Sequence, residues 1–221
     1  MKNIFAFFAL ILTISLFTAC NSPKGEKVEA EEAQTENTAT PADAVAYKVD
    51  TQASNIVWTG SKPTGQHTGN LKLSGGELMV AGNNITGGKF TIDMNSLENT
   101  DLKAGEGKED LEGHLKTGDF FQTDKYPTGT FTVTNVAAVS GDASVTHNVT
   151  GNLQMKGITK SVTIPVNVAI MGDKISAQSK AFKIDRTEWG INYNSGSLAD
   201  TAKDKVINDD IGLVITLVAN K

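Results

Sequence analysis

The sequence predicts an all-β domain of antiparallel strands with one short helix, closed into a barrel or folded as a sandwich, behind a leader and a polar tether. Three observations carry this. From Tyr47 onward, apolar and polar residues alternate with period two between Gly- and Asn-containing turns, the pattern of half-buried strands. Only 108–117 has helical spacing. The strands, about eight of them, are not interleaved with helices, which excludes parallel βαβ architectures.

Residues 1–20 carry Lys2, an apolar run from Ile4 to Phe17, and then Thr18-Ala19-Cys20. The run is short for a membrane span and has signal-peptide proportions. Cys20 is the chain's single cysteine, and it follows small residues at the expected cleavage point. The segment therefore resembles a bacterial lipoprotein signal, with Cys20 as the lipidated first residue of the mature chain. Two or more acyl chains, each contributing roughly 0.8 kcal/mol per buried methylene, hold a protein stably on a membrane.

Residues 21–44 contain no aromatic residue and one large aliphatic, Val28. Such a stretch cannot bury enough surface to offset its own chain entropy, so a flexible acidic linker is expected. Lys24 and Lys27 against Glu26, Glu29, Glu31, Glu32, Glu36 and Asp43 give it a charge of -4. The domain over 45–221 is then nearly neutral, and the whole chain, at -5, has no basic footprint for nucleic acid.

Within the domain, 47–49 and 56–58 place apolar residues on one face of two short strands. Residues 65–73 and 77–80 are expected as two strands joined by a hairpin turn at Gly75-Gly76. Phe90, Ile92 and Met94 alternate with Thr91 and Asp93, and Phe131 and Val133 alternate with threonines in the same way. The helix at 108–117 sets Leu111, His114 and Leu115 on one face, with Gly118 as its stop. Strands at 145–155, 162–170, 174–184 and 206–218 complete the count, with turns at Gly157 and at Gly172-Asp173. The echo between Thr68-Gly69-Asn70-Leu71 and Thr150-Gly151-Asn152-Leu153 marks two strands that bend at glycine. Between the helix and the next strand, Phe120-Phe121 stands in a polar stretch and needs an apolar destination, such as the inside of a barrel.

Catalysis has little support. His67, His114 and His147 are scattered with no metal-ligand spacing, and no second cysteine exists for a thiolate site. Gly105-x-Gly107 lacks the third glycine and the preceding strand of a dinucleotide loop. No metal, cofactor or enzymatic activity is expected.

An ordered series of motifs then narrows the fold. It runs from Tyr47-x-Val49-Asp50 and Ser54-x-x-x-Trp58 to Phe90-x-Ile92-Asp93-Met94-x-Ser96-Leu97. Leu115-Lys116-x-x-Asp119-Phe120-Phe121 and Tyr126-Pro127-x-x-x-Phe131 follow. It ends with Gly151-Asn152-Leu153-x-Met155-x-Gly157-Ile158-Thr159-Lys160-x-Val162-x-Ile164-Pro165-Val166 and Ile184-x-Arg186-x-x-x-Gly190-Ile191. Across 45–221 this resembles the YceI-like family, exported proteins with a lipocalin-like β-barrel that bind polyisoprenoid lipids.

The resemblance implies a lipocalin-like antiparallel barrel of about eight strands around an apolar pore for an isoprenoid such as a quinone or polyprenyl lipid. Residues expected to line it are Trp58, Phe90, Ile92, Leu115, Phe120, Phe121, Phe131, Met155, Ile164, Phe182 and Trp189. Arg186 has two readings, a fork of donors for a ligand head group or an ion pair with Asp185, Glu188 or Asp119. The expected partners are that lipid and a membrane reached through the anchor at Cys20; a homodimer is compatible with the resemblance. The setting would be the bacterial cell envelope, and the residue after Cys20, which is not acidic, favours the outer membrane. The rival reading is a non-catalytic structural or interaction module whose barrel is filled by its own side chains.

Overall fold

A computed structural model describes residues 22–36, 41–198 and 205–221. The expected signal segment and Cys20 lie outside the described residues. Two short segments come first, β1 (Glu26–Lys27) and β2 (Glu31–Glu32). The domain follows with β3 (Val45–Val49), β4 (Asn55–Lys62), β5 (Gly65–Ala81), β6 (Asn84–Asn99), α1 (Lys108–Leu115), β7 (Thr128–Ala138) and β8 (His147–Met155). It ends with β9 (Ile158–Met171), β10 (Lys174–Ser179), β11 (Phe182–Asp185), a 3-10 turn at Arg186–Trp189, and β12 (Asp210–Asn220).

The strands close into a ring. Antiparallel ladders run β5-β6-β7-β8-β9-β10-β12, and β12 returns to β5 through β4 at one end and β3 at the other. Two positions of the ring are each shared by a pair of short strands, β3 with β4 and β10 with β11. Counted by position, the barrel is eight-stranded, which matches the expected architecture. Alternation sorts the side chains: Phe90, Ile92, Met94, Val133, Leu153, Val162 and Ile164 are buried inside, and their neighbours in sequence are exposed or half-buried, except Asn152 and Ser161, which are buried too.

The turns at Lys156-Gly157 and Gly172-Asp173 join β8 to β9 and β9 to β10 as expected. The hairpin at Gly75-Gly76 does not form. β5 instead runs unbroken through both glycines, with a register irregularity between Leu73 and Gly75. Gly76 has φ 146°, and a Cβ there would stand 2.6 Å from the Lys89 carbonyl oxygen. The glycine thus serves a bulge and a close strand approach rather than a turn.

The stretch expected as a single strand at 174–184 is broken at Lys180-Ala181 into β10 and β11. The last strand starts at Asp210 rather than 206, because Ile207 bridges to Ser195 instead. The helix ends at Leu115, short of the expected stop at Gly118. It closes one barrel end: Glu112 accepts a hydrogen bond from the Asn99 backbone N–H at 2.8 Å, and Lys108 pairs with Glu98 at 3.1 Å.

The acidic stretch 21–44 is not free over its first described part. β1 adds in parallel to β11, and Val28 N–H donates to the Lys183 carbonyl at 2.8 Å. β2 adds antiparallel to β9 at Lys160 and Ser161. Gln34 exchanges hydrogen bonds with the Asn152 side chain at 2.9 and 2.7 Å. With so few apolar residues the segment builds no core of its own. Here the segment borrows the unpaired edges of an existing barrel instead.

Candidate functional site

A cavity of about 550 Å³ lies inside the ring. It owes its existence partly to two glycines. Trp58 on β4 registers with Gly69 on β5, and a Cβ at Gly69 would stand 2.5 Å from Trp58 Cζ2. On the other side, a Cβ at Gly151 would collide with the ring of Phe131. Each aromatic ring reaches bare backbone where a side chain would otherwise stand, so both rings stay close to the wall. The repeated Thr-Gly-Asn-Leu motif thus has a steric reason.

The wall is assembled strand by strand. β4 contributes Trp58; β6 contributes Phe90 and Ile92; β7, β8 and β9 contribute Phe131, Met155 and Ile164; β11 contributes Phe182. Phe90 and Phe131 stack with ring centroids 6.4 Å apart. Leu115 from α1 and Phe120 and Phe121 from the turn after it line the same space. The two phenylalanines are brought in by the chain reversal at 117–126, where Gln122 N–H donates to the Thr117 carbonyl and Phe121 N–H to the Leu115 carbonyl.

Trp189 alone among the expected lining residues lies off the cavity. Its side chain is fully buried and its indole N–H donates to the Leu153 carbonyl at 3.0 Å, so it is a packing residue behind β8. Several lining residues were not anticipated, among them Leu71, Leu73, Met94, Leu153 and Val162, at alternate positions of β5, β6, β8 and β9; that periodicity could have named them. Tyr193 had no such signal, because it comes from an irregular loop. It packs against His114 at 4.9 Å and Phe120 at 5.4 Å, and His114 meets Phe120 edge-on at 5.1 Å. His114 Nε2 also lies 3.0 Å from Asp119 Oδ2.

Arg186 lines the cavity edge but is committed to the protein. Only 3% exposed, it donates from Nε to the Asn208 carbonyl, from Nη1 to Ile191, and from Nη2 to Ile207 and to Asp209 Oδ1 at 3.0 Å. Its carboxylate partner is Asp209, not Asp185, Glu188 or Asp119. Burial pulls the guanidinium below its ordinary pKa, and the charges of Asp209 and Asp185 oppose that. With these N–H groups engaged, no bidentate fork remains for a ligand.

Among the described residues, no Asp or Glu lines the cavity, whose formal charges are Lys62, Arg186 and Lys205. An interior so apolar can exclude water and hold an apolar chain by area, at roughly 25 cal/mol per Å² buried. A barrel packed solid by its own side chains would leave no such space.

Residues 47–219 match the YceI-like domain. The chain belongs to the YceI-like family. A UPF0312 protein of Pseudomonas aeruginosa (strain LESB58) is 38% identical over 85 residues, 38% of this chain and 39% of that protein. Protein YceI of Escherichia coli O17:K52:H18 is 40% identical over 60 residues, 27% of this chain and 29% of that protein. The chain thus spans well under half the length of these curated relatives. Among solved structures, Burkholderia cenocepacia BcnA superposes with TM-score 0.61 at 24% identity, covering 78% of this chain and 99% of that one. A polyisoprenoid binding domain from Saccharophagus degradans superposes with TM-score 0.56 at 21% identity, covering 79% and 97%. At these identities the likeness is one of fold, and it places this YceI-like chain among the lipocalin-like barrels.

Proposed function

We propose that this YceI-like barrel binds an isoprenoid-type lipid, a quinone or polyprenyl, in its cavity and carries or sequesters it in the bacterial cell envelope, held to a membrane through Cys20. The observation that carries the reading is the cavity itself, about 550 Å³ of space walled by aromatic and aliphatic side chains. That volume falls within the roughly 300–1,000 Å³ range of small-molecule sites. Membership of the YceI-like family and the polyisoprenoid binding named for the Saccharophagus degradans domain support the same ligand class. The leader and the position of Cys20 support the anchor.

The test is to purify the chain with Cys20→Ser, extract it with organic solvent and identify what comes off by mass spectrometry. A stoichiometric prenyl lipid is expected. Recovery of none, together with no uptake of added isoprenoids by the extracted protein, overturns the reading in favour of the non-catalytic interaction module.

A further inference from the structure

The ring of strands has one weak seam. β10 pairs with β9 only from Val166 to Met171, and the chain then leaves at Lys180-Ala181 and continues as β11. β11 pairs with β12 on one edge, at Phe182 to Asp185. Its other edge does not meet β9. The interval between β11 and the first half of β9 is filled instead by the segment that precedes the domain, with β1 on β11 and β2 on β9. The match to the YceI-like domain begins at residue 47, so this filling segment lies before the matched region.

The seam borders the cavity directly. Val162 and Ile164 of β9 and Phe182 and Ile184 of β11 line it from the two sides. Val28 and Ala30, half-buried, close the interval by packing against the core, and Pro23 is buried beside Gly212. Residues 23–34 thus cover the seam from outside, behind the side chains that line the cavity.

We propose that the apolar ligand enters and leaves the barrel sideways through this seam, and that residues 23–34 are the removable stave. The proposal rests on the lipid-binding reading. The stave's attachments are small compared with those of the other strands. The β8–β9 ladder runs unbroken from His147↔Val166 to Met155↔Ile158, whereas β1 and β2 are each held by two residue pairs. Beyond these, Gln34 exchanges two part-buried hydrogen bonds with Asn152, and the other side-chain ties are at the surface: Lys27 to Asp185 and Asp210, Lys160 to Glu32, and Thr134 to the Gln34 side chain. Few apolar contacts and exposed polar ties mark a segment that opens locally while the rest stays folded.

A sideways route also suits a long chain. At the barrel end, the packed rings of Phe120, His114 and Tyr193 stand at the cavity, and a ligand leaving there must thread its whole length past them. Through an open seam the chain leaves broadside. The stave is also the stretch of chain that leads back to Cys20, which would set the seam close to the membrane surface.

The test locks the stave. Glu31 and Ser161 are registered antiparallel partners, so their Cα atoms fall within the roughly 4.4–6.8 Å span of a disulfide. In a Glu31→Cys/Ser161→Cys chain that also carries Cys20→Ser, transfer of a prenyl quinone to and from phosphatidylcholine vesicles is timed before and after reduction. Oxidation is expected to slow both directions by about tenfold or more, reversibly, while equilibrium affinity stays unchanged. Equal rates in the two states overturn the lateral route and leave lipid binding intact. If neither state, nor the chain with Cys20→Ser alone, takes up the quinone or a prenyl alcohol, the lipid-binding reading fails, and the route with it.

Discussion

Gly151 lies against the edge of the Phe131 ring, where a side chain of any size would meet ring carbons and the Thr132 carbonyl oxygen, the latter 2.7 Å from the Cβ position. Gly69 stands in the same relation to Trp58. Adding a methyl group at either site crowds an aromatic ring and a backbone carbonyl, that of Glu98 at Gly69 and that of Thr132 at Gly151. Gly151→Ala and Gly69→Ala should each destabilise the barrel by about 1–3 kcal/mol, the usual cost of overpacking. Urea unfolding measures that cost, and each variant should also retain less lipid per folded molecule than the wild type.

Phe120 and Phe121 separate stability from binding. Phe120 is buried against His114 and Tyr193, so Phe120→Ala should cost about 3 kcal/mol as a large-to-small core change. Phe121 is only half-buried and lines the cavity. Phe121→Ala should lower lipid retention with a smaller shift in unfolding midpoint. A thermal melt and a lipid assay on both variants give the comparison, and equal losses of stability would make Phe121 a core residue.

Arg186 ties the 3-10 turn to the chain approaching β12. Replacing it leaves Asp209 without its cation and the Ile191, Ile207 and Asn208 carbonyls without their donor. Arg186→Met should therefore destabilise by about 3 kcal/mol or more, the cost of breaking a buried pair from one side. Arg186→Lys should recover part of that stability. Lipid affinity of the folded fraction should be unchanged in both, which a head-group role would not permit.

Acid should loosen the stave. Burial pushes the Asp185 carboxyl up, but hydrogen bonds from Thr187 and Lys27 outweigh it and leave the pKa lowered; Glu32 is lowered by Lys160. A carboxyl whose folded pKa is depressed adds stability above its unfolded value, about 4, and loses it as pH falls through the folded value. The part that Lys27 and Lys160 contribute is thus present at neutral pH and lost in acid. Backbone NMR shifts of Val28 and Gln34 should move toward unpaired values as pH falls below the ordinary carboxylate range, ahead of those in β8. Invariant shifts would show that backbone pairing alone holds the segment.

The alternating strands and the single helix were legible because burial on one face imposes a period on the sequence, and Phe90, Ile92, Phe131 and Ile164 fall on the cavity side through that period. Four features escaped it. Gly75-Gly76 has the composition of a turn, and only the partner strand, 2.6 Å from the absent Cβ of Gly76, reveals a bulge. Trp189 follows a strand but sits in a 3-10 turn, where alternation no longer says which way a side chain points. The acidic stretch before the barrel has no core of its own, and nothing local to it records that β9 and β11 leave edges to be filled. Arg186 and Asp209 likewise meet only because distant segments are folded together.

The proposed function makes the barrel a container for one isoprenoid lipid. Trp58 lines the cavity and Trp189 does not, which gives the chain its own reporter. Lipid-free protein titrated with a prenyl quinone should lose tryptophan fluorescence saturably at one quinone per chain, and Trp58→Phe should remove most of that change. A titration with no saturable quenching, from protein shown to be folded and lipid-free, would contradict the account.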